Sequence, residues 1–152
     1  MSLVEFLKEW LVNYVKSKDI FKKTIVEIKK DVSEVIVIHR HKEEKYFIDP
    51  FLENAEKNLK TIKNDSHAFF ICMNTIENLN KLLELWSKFI TYNHLGLIFL
   101  NPFSKAEKSW TIFPHTHDLI SDESSLKLGI QTMFEQVEPT DRKDVEKIYE
   151  NQ

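Results

Sequence analysis

Glycine and cysteine are scarce in this sequence, and their scarcity excludes several kinds of functional site. Two glycines are present among 152 residues, at positions 96 and 129, so no glycine-rich loop can cradle a phosphate group. The P-loop, dinucleotide-binding and Gly-x-Ser-x-Gly signatures are all missing. The single cysteine, Cys72, can form neither an internal disulfide nor a Cys-x-x-Cys motif, which fits a reducing compartment. Nucleotide-dependent enzymology by the common routes is therefore excluded.

Long apolar runs are also missing. No stretch approaches the ~20 apolar residues that are needed to span a bilayer. The first ten residues carry Glu5 and Glu9 and have no basic n-region, so they do not form a secretory signal. With 42% hydrophobic and 30% charged residues, the composition is typical of a folded soluble domain. We expect a cytoplasmic protein with no membrane partner.

The charge is unevenly distributed around a net value of −3. Residues 16–45 hold nine Lys/Arg against six Asp/Glu, whereas residues 118–152 hold four against nine. A basic front is compatible with a nucleic-acid surface, but it is more typical of solvated surface lysines. The charge pattern therefore leaves both interpretations open.

The first half of the chain predicts a helix followed by three strands. Ser2 and Glu5 form a capping box, and apolar residues then recur at helical spacing. Short β-rich segments at 24–30, 34–41 and 45–49 are separated by polar turns. We expect these segments to form an antiparallel meander.

The middle of the chain predicts a strand–helix–strand unit. Asp49-Pro50 is typical of the start of a second helix, because Asp caps free N–H groups and Pro fits the first helical position. The segments 67–73 and 95–100 are apolar on both faces, as central strands are, and an amphipathic helix at 75–91 joins them. Such a crossover is expected to be right-handed and to leave the two strands parallel.

The last part of the chain predicts one more strand and one more helix. The strand, 110–115, should lie antiparallel at an edge, because Pro114 cannot donate to a ladder. Ser121 or Asp122 then caps a helix that runs to about residue 137.

The predicted element order is α-β-β-β-α-β-α-β-β-α. We expect a single three-layer α/β (α+β) domain over residues 1–138, with a mixed sheet and helices on both faces. Residues 139–152 form an acidic C-terminal tail, with a short helix at 141–150.

The αβββαβ part of this order, over residues 2–73, resembles the PD-(D/E)XK restriction-endonuclease-like superfamily. In that superfamily an Asp at the start of the second strand and an acid-x-Lys on the third bind Mg²⁺ and orient water. The resemblance is one of element order, and it implies nucleic-acid binding or processing.

Two segments are candidates for the acid-x-Lys motif that the resemblance implies. Glu27 and Lys29 have the right local spacing but fall on the first strand of the meander. Glu43 and Lys45, with Asp31 upstream, are better spaced, but the acids lie in a predicted turn. We therefore expect a nuclease-like fold without a full catalytic set, and an enzyme is the less favoured reading.

A second resemblance offers a different class of function. An arrangement of helix, three strands, helix, two strands and helix is similar to the type III secretion chaperones, in which the helix at 75–91 would be an insertion. That resemblance implies a protein-interaction module without enzymatic activity, for which a homodimer is expected.

Two His-x-His pairs form a candidate metal site. On a strand, residues two apart point to the same face, so His39 with His41 and His115 with His117 could supply four imidazoles to Zn²⁺. Asp118 would serve as a further ligand or would orient one. The alternative is that these histidines mark two strand ends that do not meet.

A candidate ligand crevice lies where the two central strands end. At the carboxyl ends of parallel strands, Asn74, Thr75 and Asn101 would surround the N-terminus of the helix at 75–91, a position that favours anions. Asparagine also caps helices and starts turns, which explains both asparagines without a ligand. Cys72, inside an apolar strand, is predicted to be core.

Overall fold

A six-stranded mixed sheet lies at the centre of the computed structural model, which describes residues 1–149. Its strands follow the chain in spatial order: β1 Ile25–Lys30, β2 Glu34–His39, β3 Glu43–Ile48, β4 His67–Met73, β5 Leu95–Leu100 and β6 Ser109–Ile112. Strands β1, β2 and β3 form an antiparallel meander, β3, β4 and β5 are parallel, and β6 returns antiparallel to β5. The predicted mixed sheet is confirmed.

Helices cover both faces of this sheet. They are α1 Leu3–Lys18, α2 Ala55–Leu59, α3 Ile76–Glu84, α4 Trp86–Phe89, α5 Pro114–Ile120, α6 Glu123–Glu135 and α7 Arg142–Tyr149. On one face α1 and α7 pack through Leu7, Leu11 and Val145. On the other, α2, α3, α4 and α6 enclose a second core around Phe70 and Phe99. The predicted three-layer α/β domain is therefore confirmed.

The predicted parallel pairing of the two central strands is confirmed. Strands β4 and β5 pair in parallel from Ala68↔Leu95 to Met73↔Leu100. Because side chains alternate along a strand, these strands supply residues to both cores. Cys72 is fully buried among them, and burial raises the pKa of its thiol, as expected for a core residue.

The first capping box is present, but the second helix begins later than predicted. The Ser2 Oγ accepts from the Glu5 N–H at 3.2 Å. Asp49 instead caps a turn, accepting from the N–H groups of Glu53 and Asn54 at 3.0 and 2.9 Å. Leu52 has a positive φ of 52°, which no helix tolerates, so α2 starts only at residue 55.

Two further boundaries correct the sequence prediction. The helix predicted at 75–91 is two helices, α3 and α4, which meet at Leu85, where φ is −96° and ψ is 9°. The strand predicted at 110–115 ends at Ile112, and Pro114 takes the first position of α5. Pro cannot extend a ladder, but it fits the first helical turn.

The C-terminal segment is packed onto the domain. Helix α7 lies inside the predicted tail at 139–152, and its Val145 is 0% exposed. The Tyr149 ring lies 5.2 Å from the Phe6 ring of α1. Residues 150–152 of the predicted tail lie outside the described part of the chain. Within residues 1–149, the structure contains no helix that is both long and apolar enough to cross a membrane.

Candidate functional site

A cleft of about 520 Å³ opens on the α1 side of the sheet, between the end of α1 and the end of β2. We call it the first cleft. Strand alternation places its lining, because Glu44 and Tyr46 of β3 point to the α1 side while Lys45 between them points away. Phe69 and Ile98 of the next two strands form the floor. The cleft therefore lies at the end of the sheet opposite to the crevice that we predicted.

A chain of hydrogen bonds, which we call the relay, crosses the wall of the first cleft. The Thr24 hydroxyl lies 2.7 Å from Asp19 Oδ1 and 2.8 Å from His39 Nδ1. The other ring nitrogen, Nε2, lies 2.6 Å from Glu44 Oε1. The Tyr46 hydroxyl donates to the same Glu44 oxygen at 3.4 Å. Five side chains from four separate segments are thereby joined.

The relay gives both ring nitrogens of His39 a polar partner. The Thr24 hydroxyl has one proton and a carboxylate cannot donate, so that proton is used in the bond to Asp19. The ring Nδ1 lies against the hydroxyl oxygen of Thr24, and Nε2 lies against Glu44. The relay therefore fixes the position and orientation of the His39 ring in the cleft wall.

The pKa values at the two ends of the relay shift in opposite directions: that of Asp19 is lowered and that of Tyr46 is raised. Partial desolvation acts to raise the pKa of Asp19, but hydrogen bonds from the Ile25 and Thr24 N–H groups and the Thr24 hydroxyl lower it overall. Burial, followed by the charge of Glu44, raises the pKa of Tyr46 far above its ordinary value. Asp19 is therefore anionic and Tyr46 is a neutral donor.

The floor of the first cleft is aromatic. The Tyr46 and Phe69 rings stack at 4.7 Å, and the Phe113 ring meets Phe69 edge-on at 5.8 Å. Gly96 makes this arrangement possible, because a Cβ at that position would lie 2.7 Å from the Phe69 ring and 3.0 Å from Phe113. Phe113 is 43% exposed and is the accessible ring of this group.

The rim of the first cleft is basic. Lys18, Lys22 and Lys42 line it, and Lys18 Nζ lies 4.4 Å from the Tyr14 ring centroid. These three lysines outnumber the two carboxylates of the relay, Asp19 and Glu44. Phe21, which directly precedes Lys22, is 94% exposed. A ligand with an anionic group and a flat apolar part matches this lining.

The chemistry of the relay favours binding over proton transfer. Both ring nitrogens of His39 already have partners, so the ring can exchange a proton with a ligand only after one of these bonds breaks. The relay therefore holds charge and geometry in the cleft wall.

The structure separates the residues of the nuclease-like motif. Glu27 is exposed on the edge strand β1, as is Lys29. Glu43 pairs opposite Ile38 at one end of the β2–β3 hairpin, whereas Asp31 precedes β2 at the other end. The acid that lines the first cleft is Glu44, the residue after Glu43.

The remaining motif residue, Lys45, lies on the face away from the first cleft. Its Nζ is 3.5 Å from Glu34 and 5.1 Å from the Phe47 ring centroid. In neither candidate motif, Glu27 with Lys29 or Glu43 with Lys45, do the acid and the lysine form a cluster with an acid from earlier in the chain.

The two His-x-His pairs do not meet. His39 is part of the relay on the α1 side, and His41 is exposed beyond the end of β2. His115 lies on α5, over the opposite core, with its Nδ1 2.8 Å from the Ile90 carbonyl oxygen. Among residues 1–149, the structure brings together no group of three or more His, Cys, Asp or Glu that could hold a metal ion.

The residues next to His115 have other partners. The His117 ring lies edge-on to Trp86 at 6.1 Å, and Asp118 accepts from the Trp86 indole N–H at 3.0 Å. The reason is the helix start at Pro114, which carries this segment away from the end of β6 and against α4. The predicted metal site required the strand at 110–115 to reach His115, but β6 ends at Ile112.

The predicted crevice residues lie close to one another, but their side chains already have hydrogen-bond partners within the protein. Asn74 is 0% exposed, donates to the carbonyls of Phe134 and Val137, and accepts from the Trp110 indole N–H at 2.7 Å. Thr75 caps α3, and Asn101 donates to the Glu138 carbonyl at 2.7 Å. The two asparagine side chains therefore anchor the end of α6 and the segment after it.

Sequence reasoning missed Asp19, Thr24, Glu44 and Tyr46. Asp19 follows a helix and Thr24 precedes a strand, positions at which polar residues are ordinary. A weak signal existed for the other two, because Glu44 and Tyr46 share a strand face with the apolar Ile48.

In comparisons with protein-family models, curated proteins and solved structures, no match to this chain was found.

Proposed function

We propose that the chain binds single-stranded nucleic acid at the first cleft. A base lies against the exposed Phe113 ring at the edge of the aromatic floor, and the adjacent phosphates lie at the lysine rim. The observation that carries the proposal is the combination of Lys18, Lys22 and Lys42 with Phe113, which is exposed beside the buried Tyr46 and Phe69 of the same cleft. Proteins that bind single strands combine these two elements, a positively charged groove and aromatic rings on which bases stack.

The two elements supply different parts of the binding energy. Stacking of one base on an aromatic side chain is worth ~1–3 kcal/mol and tolerates every base, because each has a flat face. Lysine–phosphate contacts release counterions, so their contribution falls as salt rises. For contacts in the first cleft alone, the three rim lysines predict a slope of about −2 in a plot of log K against log salt, at ~0.7 per contact for a single strand.

The proposal is one of binding, without a cleavage step. His39 is held by Thr24 and Glu44, and the nuclease-like acids Asp31 and Glu43 lie at opposite ends of a hairpin. The cleft has a volume of about 520 Å³, within the roughly 300–1,000 Å³ range of small-ligand sites, so it has room for a nucleotide.

Charge reversal at the rim tests the electrostatic part. Fluorescence anisotropy with a labelled twelve-nucleotide strand should show Lys22→Glu weakening binding by roughly tenfold at low salt, because an attraction becomes a repulsion. The matched control is Lys127→Glu on the exposed face of α6, which makes the same charge change outside the cleft and should leave binding unchanged.

Truncation of Phe113 tests the aromatic part. Phe113→Ala should weaken binding with no change in the salt slope, because stacking carries no counterion term. Phe103→Ala is the control, since Phe103 is exposed to a similar extent, 47% against 43%, and does not line the cleft.

No binding of the unmodified protein at low salt would overturn the proposal and favour the protein-interaction module.

A further inference from the structure

A second cleft, of about 590 Å³, lies on the opposite face of the sheet. Lys45 and Phe47 of β3 line it, alternating along the strand with Glu44 and Tyr46 of the first cleft. Its other wall is the connection between α2 and β4, residues 61–66. The two clefts therefore occupy the two faces of the same end of the sheet.

The clefts meet at the turn between β2 and β3. His41 and Lys42 line both of them. Both residues are exposed, and Arg40 beside them is exposed as well. A flexible chain that leaves the first cleft can thus cross this basic turn and enter the second cleft without passing through the protein.

The lining of the second cleft suits the same kind of ligand. Lys45 and Lys63 add cationic groups, against the carboxylates of Glu43 and Asp65. His67 lines the cleft and its ring stacks on His94 at 4.5 Å. Burial, followed by the charge of His94, lowers the pKa of His67, so its ring is neutral at neutral pH and stacks as a flat aromatic group.

We infer that one single strand occupies both clefts at once and crosses the β2–β3 turn between them. The inference rests on the proposed function of the first cleft and extends it to the length of the ligand. A double helix is too wide and too stiff to fold around the end of one sheet, whereas a single strand bends readily. The ligand is therefore a single strand of several nucleotides.

Strand length separates the two clefts experimentally. Labelled oligonucleotides of four and of twelve nucleotides are titrated with the full chain over a range of salt concentrations. The tetranucleotide has three phosphates, one for each rim lysine of the first cleft, so its salt slope should be about −2. The longer strand also meets Lys45 and Lys63, and its slope should be about −3.5. The slope is compared in place of the affinity, because a longer strand offers more overlapping binding positions and so binds more tightly even without a new contact. The slope reports the number of lysine–phosphate contacts.

A charge reversal in each cleft completes the test. Lys22→Glu should weaken binding of both oligonucleotides, whereas Lys63→Glu should weaken only the longer strand, by roughly fivefold, and reduce its slope by about 0.7. Lys127→Glu is the control for both. Lys63 is exposed in a loop, and circular dichroism of each variant confirms that it is folded.

The outcomes distinguish the two proposals. Equal slopes for the two lengths, or a Lys63→Glu protein that binds the longer strand normally, would overturn the two-cleft path and leave the first cleft in place. Absence of binding for either oligonucleotide at low salt would overturn both. A duplex that binds with the affinity and slope of the longer strand would also exclude the path around the sheet end.

Discussion

At the scale of single residues, Thr24 holds the relay of the first cleft together. It is the one group in the relay that touches both Asp19 and His39. Its hydroxyl donates to the Asp19 carboxylate, and the same oxygen lies 2.8 Å from His39 Nδ1. A hydroxyl at position 24 thus joins the segment after α1 to the end of β2 in the cleft wall.

Asp19 makes the stability of the protein depend on pH. Its carboxyl is partly desolvated, but hydrogen bonds from Ile25 and Thr24 lower its pKa in the folded state. The unfolded chain then binds more protons, so the stabilisation is complete above the unfolded value of ~3.9 and is lost as pH falls through the folded value. Relative to Asp19→Asn, the free-energy advantage of the wild type should be constant above about pH 5 and shrink below about pH 4.

Urea unfolding of both proteins between about pH 2.5 and pH 7 measures this difference. Asp122 also titrates in the acid range, since hydrogen bonds from the Ser124 hydroxyl and the Ser125 N–H lower its pKa, but it is present in both proteins and cancels. A difference that stays flat down to the lowest pH would show that the bonds to Asp19 do not favour its charged form.

At the scale of elements, Asn74 joins the end of β4 to β6 and to the end of α6. Its amide donates to the Phe134 and Val137 carbonyls, and its oxygen accepts from the Trp110 indole. All of these groups are buried, so no water replaces a lost partner. Asn74 therefore fixes how the C-terminal segment lies across the carboxyl ends of the parallel strands.

Truncation of this side chain should destabilise the whole domain. Asn74→Ala leaves one donor and two acceptors unpaired inside the core, and each unsatisfied group costs ~1–3 kcal/mol, so we expect a loss of about 3 kcal/mol or more by urea unfolding. Asn80→Ala, on the exposed face of α3, is the control and should be neutral or slightly stabilising, because alanine favours helix. A loss below 1 kcal/mol for Asn74→Ala would contradict this anchoring role.

Strongly patterned elements were predictable from sequence, whereas several element boundaries were not. The β4 and β5 strands are apolar on both faces because both faces are buried, and that pattern is visible in the sequence. The start of α2 depends on the left-handed backbone of Leu52, and the start of α5 depends on whether Pro114 ends a strand or begins a helix. Local sequence permits both outcomes, so tertiary packing decides between them.

At the scale of the whole molecule, the first cleft is a product of topology. The relay joins residues 19, 24, 39 and 44, which lie in four segments and meet only because the meander returns twice beside the end of α1. No spacing rule in the sequence connects them. The asparagines of the predicted crevice, by contrast, were located correctly at the strand ends, but the segment that covers them comes about 60 residues after Asn74 and 37 residues after Asn101.

The same topology couples the two faces of the sheet. Alternate residues of β4 and β5 belong to opposite cores, so loss of either core removes support from the strands that hold the other. Trp10 packs on the α1 side, whereas Trp86 and Trp110 lie in the other core. The three tryptophans therefore report on both faces independently.

We expect both faces to unfold in one cooperative transition. With 5-fluorotryptophan incorporated, the three native fluorine resonances should lose intensity at the same urea concentration, which should equal the midpoint of the far-ultraviolet circular dichroism transition. Asn74→Ala, whose lost contacts lie on the Trp110 side, should move all three midpoints together. Earlier loss of the Trp10 resonance would instead show that α1 and its core open separately, as a local unfolding unit. In that case the first cleft, which α1 helps to line, would lose its structure before the rest of the sheet.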